Sequence, residues 1–256
     1  MKNLLIILTM LLQPNKVEED TEKTLYQDMV HDSSPRGVKN AIYSSLMIQT
    51  MNEAGESSMG SGNLVKIGVT DLGFDGDSID ITFKDLDVVL TAQHVIAKSA
   101  AVVVVERNGN IIPAEIVYQN EKKDIAALIL KRPPTITEPV KLRQKKDNKI
   151  GKEVYHCGNP SIVAFNLSKG IITSLQEGHV VIDSFSLPGS SGSVVFGKRG
   201  DVIGLVVSVG FDQPFGMPEL IEEVVRVTLL DYLDIQGIVE AVENERTRIK
   251  SGDNNN

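Results

Sequence analysis

Residues 188–207 read PGSSGSVVFGKRGDVIGLVV, and this stretch decides between two architectures. A serine among glycines suggests an exposed hydroxyl, and one setting for it is a Gly-x-Ser-x-Gly turn from a strand into a helix. Here Ser193 stands where that turn needs its second glycine. The residues after it are not helical in pattern either. Val194–Phe196 and Val202–Val207 are β-branched runs on either side of Arg199-Gly200-Asp201, which reads as a hairpin. The serine-rich turn feeds a hairpin, and the strand-turn-helix alternative is rejected.

Moving outward, the same texture covers most of the chain. Thirteen short apolar runs rich in Val and Ile recur, each bounded by Gly, Pro, Asn or Asp; AIYSSLMIQTM, NLVKIGV, DVVLTA, AVVVVE and HVVIDSF are among them. Segments of this length with little helical periodicity between them predict an all-β barrel or sandwich. Asn108-Gly109 marks a further hairpin. No repeat of fixed period is present, which argues against a propeller or solenoid. After Leu230 the spacing changes: Ile235, Ile238, Val239 and Val242 share one helical face, predicting a C-terminal helix. The organisation expected is an apolar leader over 1–12, a polar acidic arm over 13–36, one domain over 37–248 and a disordered tail over 249–256.

Composition narrows the function classes. The 256 residues carry a net charge of −8, which argues against nucleic acid and anionic lipid as partners. A single cysteine, Cys157, excludes an intrachain disulfide and a Cys-rich zinc site. The acids Asp71, Asp75, Asp77, Asp80, Asp85 and Asp87 cluster around an apparent hairpin loop, but their spacing fails the calcium-loop pattern. No metal or cofactor is expected. Leu4–Leu12 is too short to span a bilayer and fits the apolar region of a secretory signal, although no small-x-small cleavage site follows; the alternative is an amphipathic or buried N-terminal segment in a cytoplasmic protein.

A serine becomes a nucleophile only beside a base that is itself oriented. Of four histidines, His31 lies in the polar arm, His179 at a hairpin tip, and His156 beside Cys157 without metal-ligand spacing. His94 differs. In DVVLTAQHVIAKSA it leaves the end of a β-branched strand in a short helix-like turn, a rigid mount for a general base. The orienting acid is Asp124, where the charged turn NEKKD meets the apolar strand IAALIL. The order His94, Asp124, Ser191 is that of chymotrypsin-like enzymes, and differs from the subtilisin and α/β-hydrolase orders.

The segments LTAQHV, DIAALIL and PGSSGSVV resemble the three motifs of the trypsin-like serine peptidases, closest in flavour to bacterial HtrA-type protease domains. Met59-Gly60-Ser61-Gly62, Gly158-Asn159-Pro160, Lys169–Ser174 and Gly204 echo the same family. The resemblance covers about 37–248. It implies an all-β chymotrypsin-like fold of two packed six-stranded Greek-key β-barrels, divided near 135–150, with a C-terminal α-helix. It implies a serine endopeptidase acting on polypeptide substrates through His94, Asp124 and Ser191, with the Gly189 and Ser191 amides as the oxyanion hole. Phe185 is expected at the base of the primary pocket, with Val207, Ser208 and Gly210 along a wall, an apolar lining without a carboxylate. Ser190 replaces the aspartate that digestive enzymes pair with a freshly cut N-terminus, so activation of that type is not expected. No PDZ domain is expected to follow, and export is. The alternative is a catalytically silent trypsin-like fold that binds peptides or serves as a scaffold.

Overall fold

A computed structural model describes residues 29–74, 79–143, 148–210 and 224–251 of the chain. Its strands arise where β-branched residues alternate in burial. In β4 (Ala101–Val105), for example, Val102 and Val104 point inward while Val103 and Val105 are partly exposed.

Two closed antiparallel barrels result. The first contains β1 (Ser45–Met51), β2 (Ser57–Phe74), β3 (Ile79–Thr91), β4, β5 (Ile111–Asn120) and β6 (Ile125–Leu130). Its order is β1-β4-β5-β6-β3-β2, and pairing of β1 with β2 closes it; short β7 (Val140–Lys141) adds to β2 in parallel. The second closes in the order β10-β13-β12-β11-β8-β9. Its members are β8 (Glu153–Gly158), β9 (Asn166–Gln176), β10 (His179–Ser184), β11 (Val194–Gly197), β12 (Val202–Gly210) and β13 (Val224–Leu229). Helices α1 (Arg36–Tyr43), α2 (Gln93–Ile96) and α3 (Ile235–Ser251) complete the fold. The expected all-β class with two six-stranded barrels and a C-terminal helix holds.

The cores explain why several strands read as continuous apolar runs. Leu64 and Val89 face the interior of the first barrel with Ile48, Val104 and Leu128. Their neighbours Val65 and Leu90 face the other way, into a cluster with Cys157, Phe196, Leu205 and, from α3, Ile238 and Val242. Strands buried on both faces lose the polar alternation. The second barrel has its own filling, including Val154, Ile182, Val206 and Val227.

Two expectations need correcting. AIYSSLMIQTM is not one strand: Ala41–Tyr43 end α1, and β1 starts at Ser45. The helix wins because Gly37, Val38 and Ala41 form a buried face there. A Cβ on Gly37 would come within 2.2 Å of the Gly197 carbonyl, so the glycine permits the helix to lie on β11. The tail does not begin at 249, because α3 runs to Ser251, whose hydroxyl donates to the Arg248 carbonyl at 2.8 Å. The acidic cluster does flank a hairpin, as expected: β2 and β3 pair antiparallel, with Asp71 in β2 and Asp80, Asp85 and Asp87 in β3. Asp75 and Asp77, like the leader and most of the arm, lie outside the described residues.

Candidate active site

His94 is mounted on a rigid step. β3 ends at Thr91, and the single turn of α2 comes next, anchored by buried Val95 and Ile96 while His94 faces outward. Asp124 closes the turn that enters β6, its amide donating to the Glu121 carbonyl at 3.2 Å. It sits at φ +50°, a left-handed conformation that aspartate tolerates better than most residues. That turn aims its carboxylate at His94 twice. Oδ1 accepts the His94 amide at 2.9 Å, and Oδ2 lies 2.7 Å from Nδ1. A carboxylate can only accept, so Nδ1 carries the proton of that bond and the lone pair of a neutral ring lies on Nε2.

Of the three neighbouring hydroxyls at 190, 191 and 193, two are occupied. Ser190 Oγ accepts the Leu187 amide at 3.3 Å, and Ser193 Oγ donates to the Ser190 carbonyl at 2.7 Å. Ser191 Oγ makes no hydrogen bond among the described residues, neither to the His94 ring nor to any other group. Contacts of this kind are often long before substrate arrives. The amides of Gly189 and Ser191 also donate to no protein acceptor among the described residues, whereas those of Ser190, Gly192 and Ser193 all do. Gly189 adopts φ +104°, and a Cβ there would sit 2.3 Å from the Asn159 carbonyl oxygen. Only glycine fits.

The serine turn is bolted to the first barrel. The Ser61 amide donates to the Ser191 carbonyl at 2.8 Å, and Ser61 Oγ donates to the Gly189 carbonyl at 2.6 Å. That same Oγ accepts the Asn159 amide at 2.7 Å, and Asn63 Oδ1 accepts the Val194 amide at 2.8 Å. Gly192 lies so close that a Cβ would meet Ser61 O at 2.0 Å and Thr91 Oγ1 at 2.5 Å. The turn carrying Ser191 therefore abuts the strand end that delivers His94. Ser61, Asn63, Thr91 and Asn159 were not singled out as positioning residues by sequence reasoning. The signal available was the pair of small-residue segments around Gly60–Gly62 and Gly158–Pro160, which carried a family echo but no role.

The expected pocket residues lie on the second barrel's chain. Val207 is buried, and Phe185 is 53 % exposed, flanked by buried Ser184 and Ser186. Ser208 and Gly210 lie along the second half of β12. The remaining histidines have other partners. His31 binds Ser33 Oγ at 2.8 Å on the surface, and His179 Nδ1 meets the Glu177 carbonyl. His156 is buried against Ser184 Oγ at 3.0 Å, and burial holds its pKa down to about 4. Burial pushes the Cys157 thiol up, which makes it a poor nucleophile. Among the described residues no group of three or more His, Cys, Asp or Glu side chains could hold a metal ion.

Residues 79–205 match the model of the trypsin-like peptidase domain. A serine protease HtrA-like protein of Staphylococcus haemolyticus is 23% identical over 254 residues, covering 86% of this chain and 36% of that protein. The serine endoprotease DegS of Haemophilus influenzae is 26% identical over 133 residues, covering 48% of this chain and 38% of its own. Among solved structures, a serine endoprotease from Yersinia pestis superposes with a TM-score of 0.60 at 20% identity, covering 84% of this chain and 69% of that one. The HtrA-type protease AlgW with tripeptide gives 0.57 at 21% identity, covering 85% and 64%. The chain spans less than half the length of the curated relatives it matches.

Proposed function

We propose that this chain, which carries a trypsin-like peptidase domain on an HtrA-type fold, is a serine endopeptidase. The observation that carries the reading is the two-point grip of Asp124 on His94, at 2.9 and 2.7 Å, beside a turn with one uncommitted hydroxyl. In the reaction Ser191 Oγ attacks the scissile carbonyl while His94 Nε2 takes its proton. Asp124 holds the ring in the required tautomer and stabilises the imidazolium. The oxyanion then faces the amides of Gly189 and Ser191, which have no competing acceptor among the described residues. Collapse passes the proton from His94 to the leaving amine and leaves an acyl-enzyme. Water, deprotonated by the same histidine, releases the acid and restores Ser191.

The primary pocket, read from Phe185, Val207, Ser208 and Gly210, favours small or medium apolar side chains at the cleaved position. Relatives named as periplasmic proteases support export of this chain. N-terminal sequencing of the chain recovered from outside the cytoplasm tests that; retention of the whole protein in the cytoplasm refutes it.

A fluorophosphonate probe tests the chemistry. The wild-type protein is expected to label, and Ser191→Ala and His94→Ala to lose labelling. Peptide hydrolysis should fall by about a millionfold for Ser191→Ala and about ten-thousandfold for Asp124→Asn. Labelling that persists in Ser191→Ala removes the nucleophile assignment. A folded wild type that never labels favours the silent peptide-binding module. In a peptide library, cleavage mainly after Arg or Lys would sink the apolar pocket.

A further inference from the structure

Away from this site, α1, the connection carrying β7 and the β11–β12 hairpin surround a cavity of about 330 Å³. Its lining reverses the charge of the molecule. Arg36, Lys39, Lys141, Arg143 and Arg199 face a single carboxylate, Glu138, in a chain whose net charge is −8. Two of these cations are occupied: Lys39 Nζ donates to the Asp32 carbonyl at 3.0 Å, and Lys141 Nζ lies 3.7 Å from Asp85. The guanidinium groups of Arg36, Arg143 and Arg199 have no carboxylate partner among the described residues. The nearby acid Asp201 does not answer them, since Lys152 already holds it at 2.8 Å.

The walls are preformed. The Gly37 amide donates to the Lys198 carbonyl at 3.2 Å, and Asn40 Nδ2 to the Gly200 carbonyl at 3.0 Å. The Glu138 amide donates to the Tyr43 carbonyl and the Val202 amide to the Arg143 carbonyl, each at 2.9 Å. Gly200, at φ +81°, lies so near that a Cβ would come within 2.8 Å of Arg36 Cγ, so the hairpin tip presses on the arginine stem. Like charges gathered on fixed walls repel one another and favour an anion between them. The three exposed arginines that line the basin offer planar forks suited to the several acceptor oxygens of a phosphate group, whereas one carboxylate engages one fork. A basin of about 330 Å³ suits a compact anion better than an extended acidic peptide.

We propose that this cavity is a binding site for a small phosphate-bearing ligand, held by Arg36, Arg143 and Arg199. Titration calorimetry with inorganic pyrophosphate, at ionic strength matched with chloride, is the test. One-to-one binding is expected, with melting raised by about 5 °C at a hundredfold excess over the dissociation constant. Arg143→Gln and Arg199→Gln should each weaken binding by about tenfold, and Arg143→Lys should recover only part, because it keeps the charge and loses the fork. Lys131→Gln, outside the cavity, should bind as the wild type does. Inorganic phosphate and ATP as further arms separate a free anion from an esterified one, and preference for either supports the site. Three results would overturn it: no heat beyond chloride, undiminished binding in the Arg143→Gln/Arg199→Gln double variant, or binding of a glutamate-rich peptide but not pyrophosphate.

Discussion

His156 shows what burial does to one side chain. It is 1 % exposed, its Nε2 side meets Ser184, and Nδ1 has no partner. Burial penalises the charged form, so the folded protein keeps this ring neutral down to about pH 4, against an ordinary value of 6.5. Above pH 6.5 the ring is neutral in the folded and unfolded states alike, and the site adds no pH dependence. As pH falls below 6.5 the unfolded chain takes up a proton that the fold refuses. Stability therefore drops by about 1.4 kcal/mol per pH unit, roughly 3 kcal/mol in all by about pH 4. Urea melts of the wild type and His156→Asn between neutral pH and the folded-state pKa should differ by that slope. Equal slopes would mean that the ring is accessible to protons in the folded state.

At the scale of elements, the first barrel hands over to the second through a connection with little regular structure, and one buried acid organises its start. Glu106, fully buried, accepts the amides of Ile136 and Thr137 at 2.9 Å and the hydroxyls of Thr135 and Thr137 at 2.9 Å. It also accepts the Thr135 amide and Asn110 Nδ2. Burial alone would raise its pKa, but these donors together hold it below the usual glutamate value. Its stabilising effect is thus present above the ordinary carboxylate range and is lost as pH falls through it. Glu106→Ala strands three inward-facing amides and should cost about 3 kcal/mol in denaturant melts. A change under about 1 kcal/mol would show that water replaces the carboxylate without loss. None of this was legible in the local pattern, where ERNGNII reads as an ordinary hairpin.

For the whole molecule, the decisive feature is the apolar cluster between the barrels. It joins Val65 and Leu90 of the first to Phe196 and Leu205 of the second, and α3 adds Ile238 and Val242. Because both barrels share it, they should unfold as one unit. Phe196→Ala, at a fully buried position, should cost about 3–5 kcal/mol and shift a single transition seen alike by near- and far-UV circular dichroism. Two separated transitions would show that the barrels are stable independently. The sequence by itself determined the strand-rich class, the hairpin after Ser193 and the C-terminal helix, because residue type and spacing act over a few neighbours. It also named His94, Asp124 and Ser191 as chemically suited types at the ends of strands. Only the tertiary structure decided that Ser190 and Ser193 are committed to their own turn and that Ser61 and Asn159 bolt that turn to the other barrel. It alone decided that Ala41–Tyr43 are helical. The joining of the turn to the other barrel depends on contacts between residues 98 to 131 positions apart, such as Ser61 to Asn159 and Asn63 to Val194, and the helix on Gly37 meeting Gly197, pairings that no local pattern encodes.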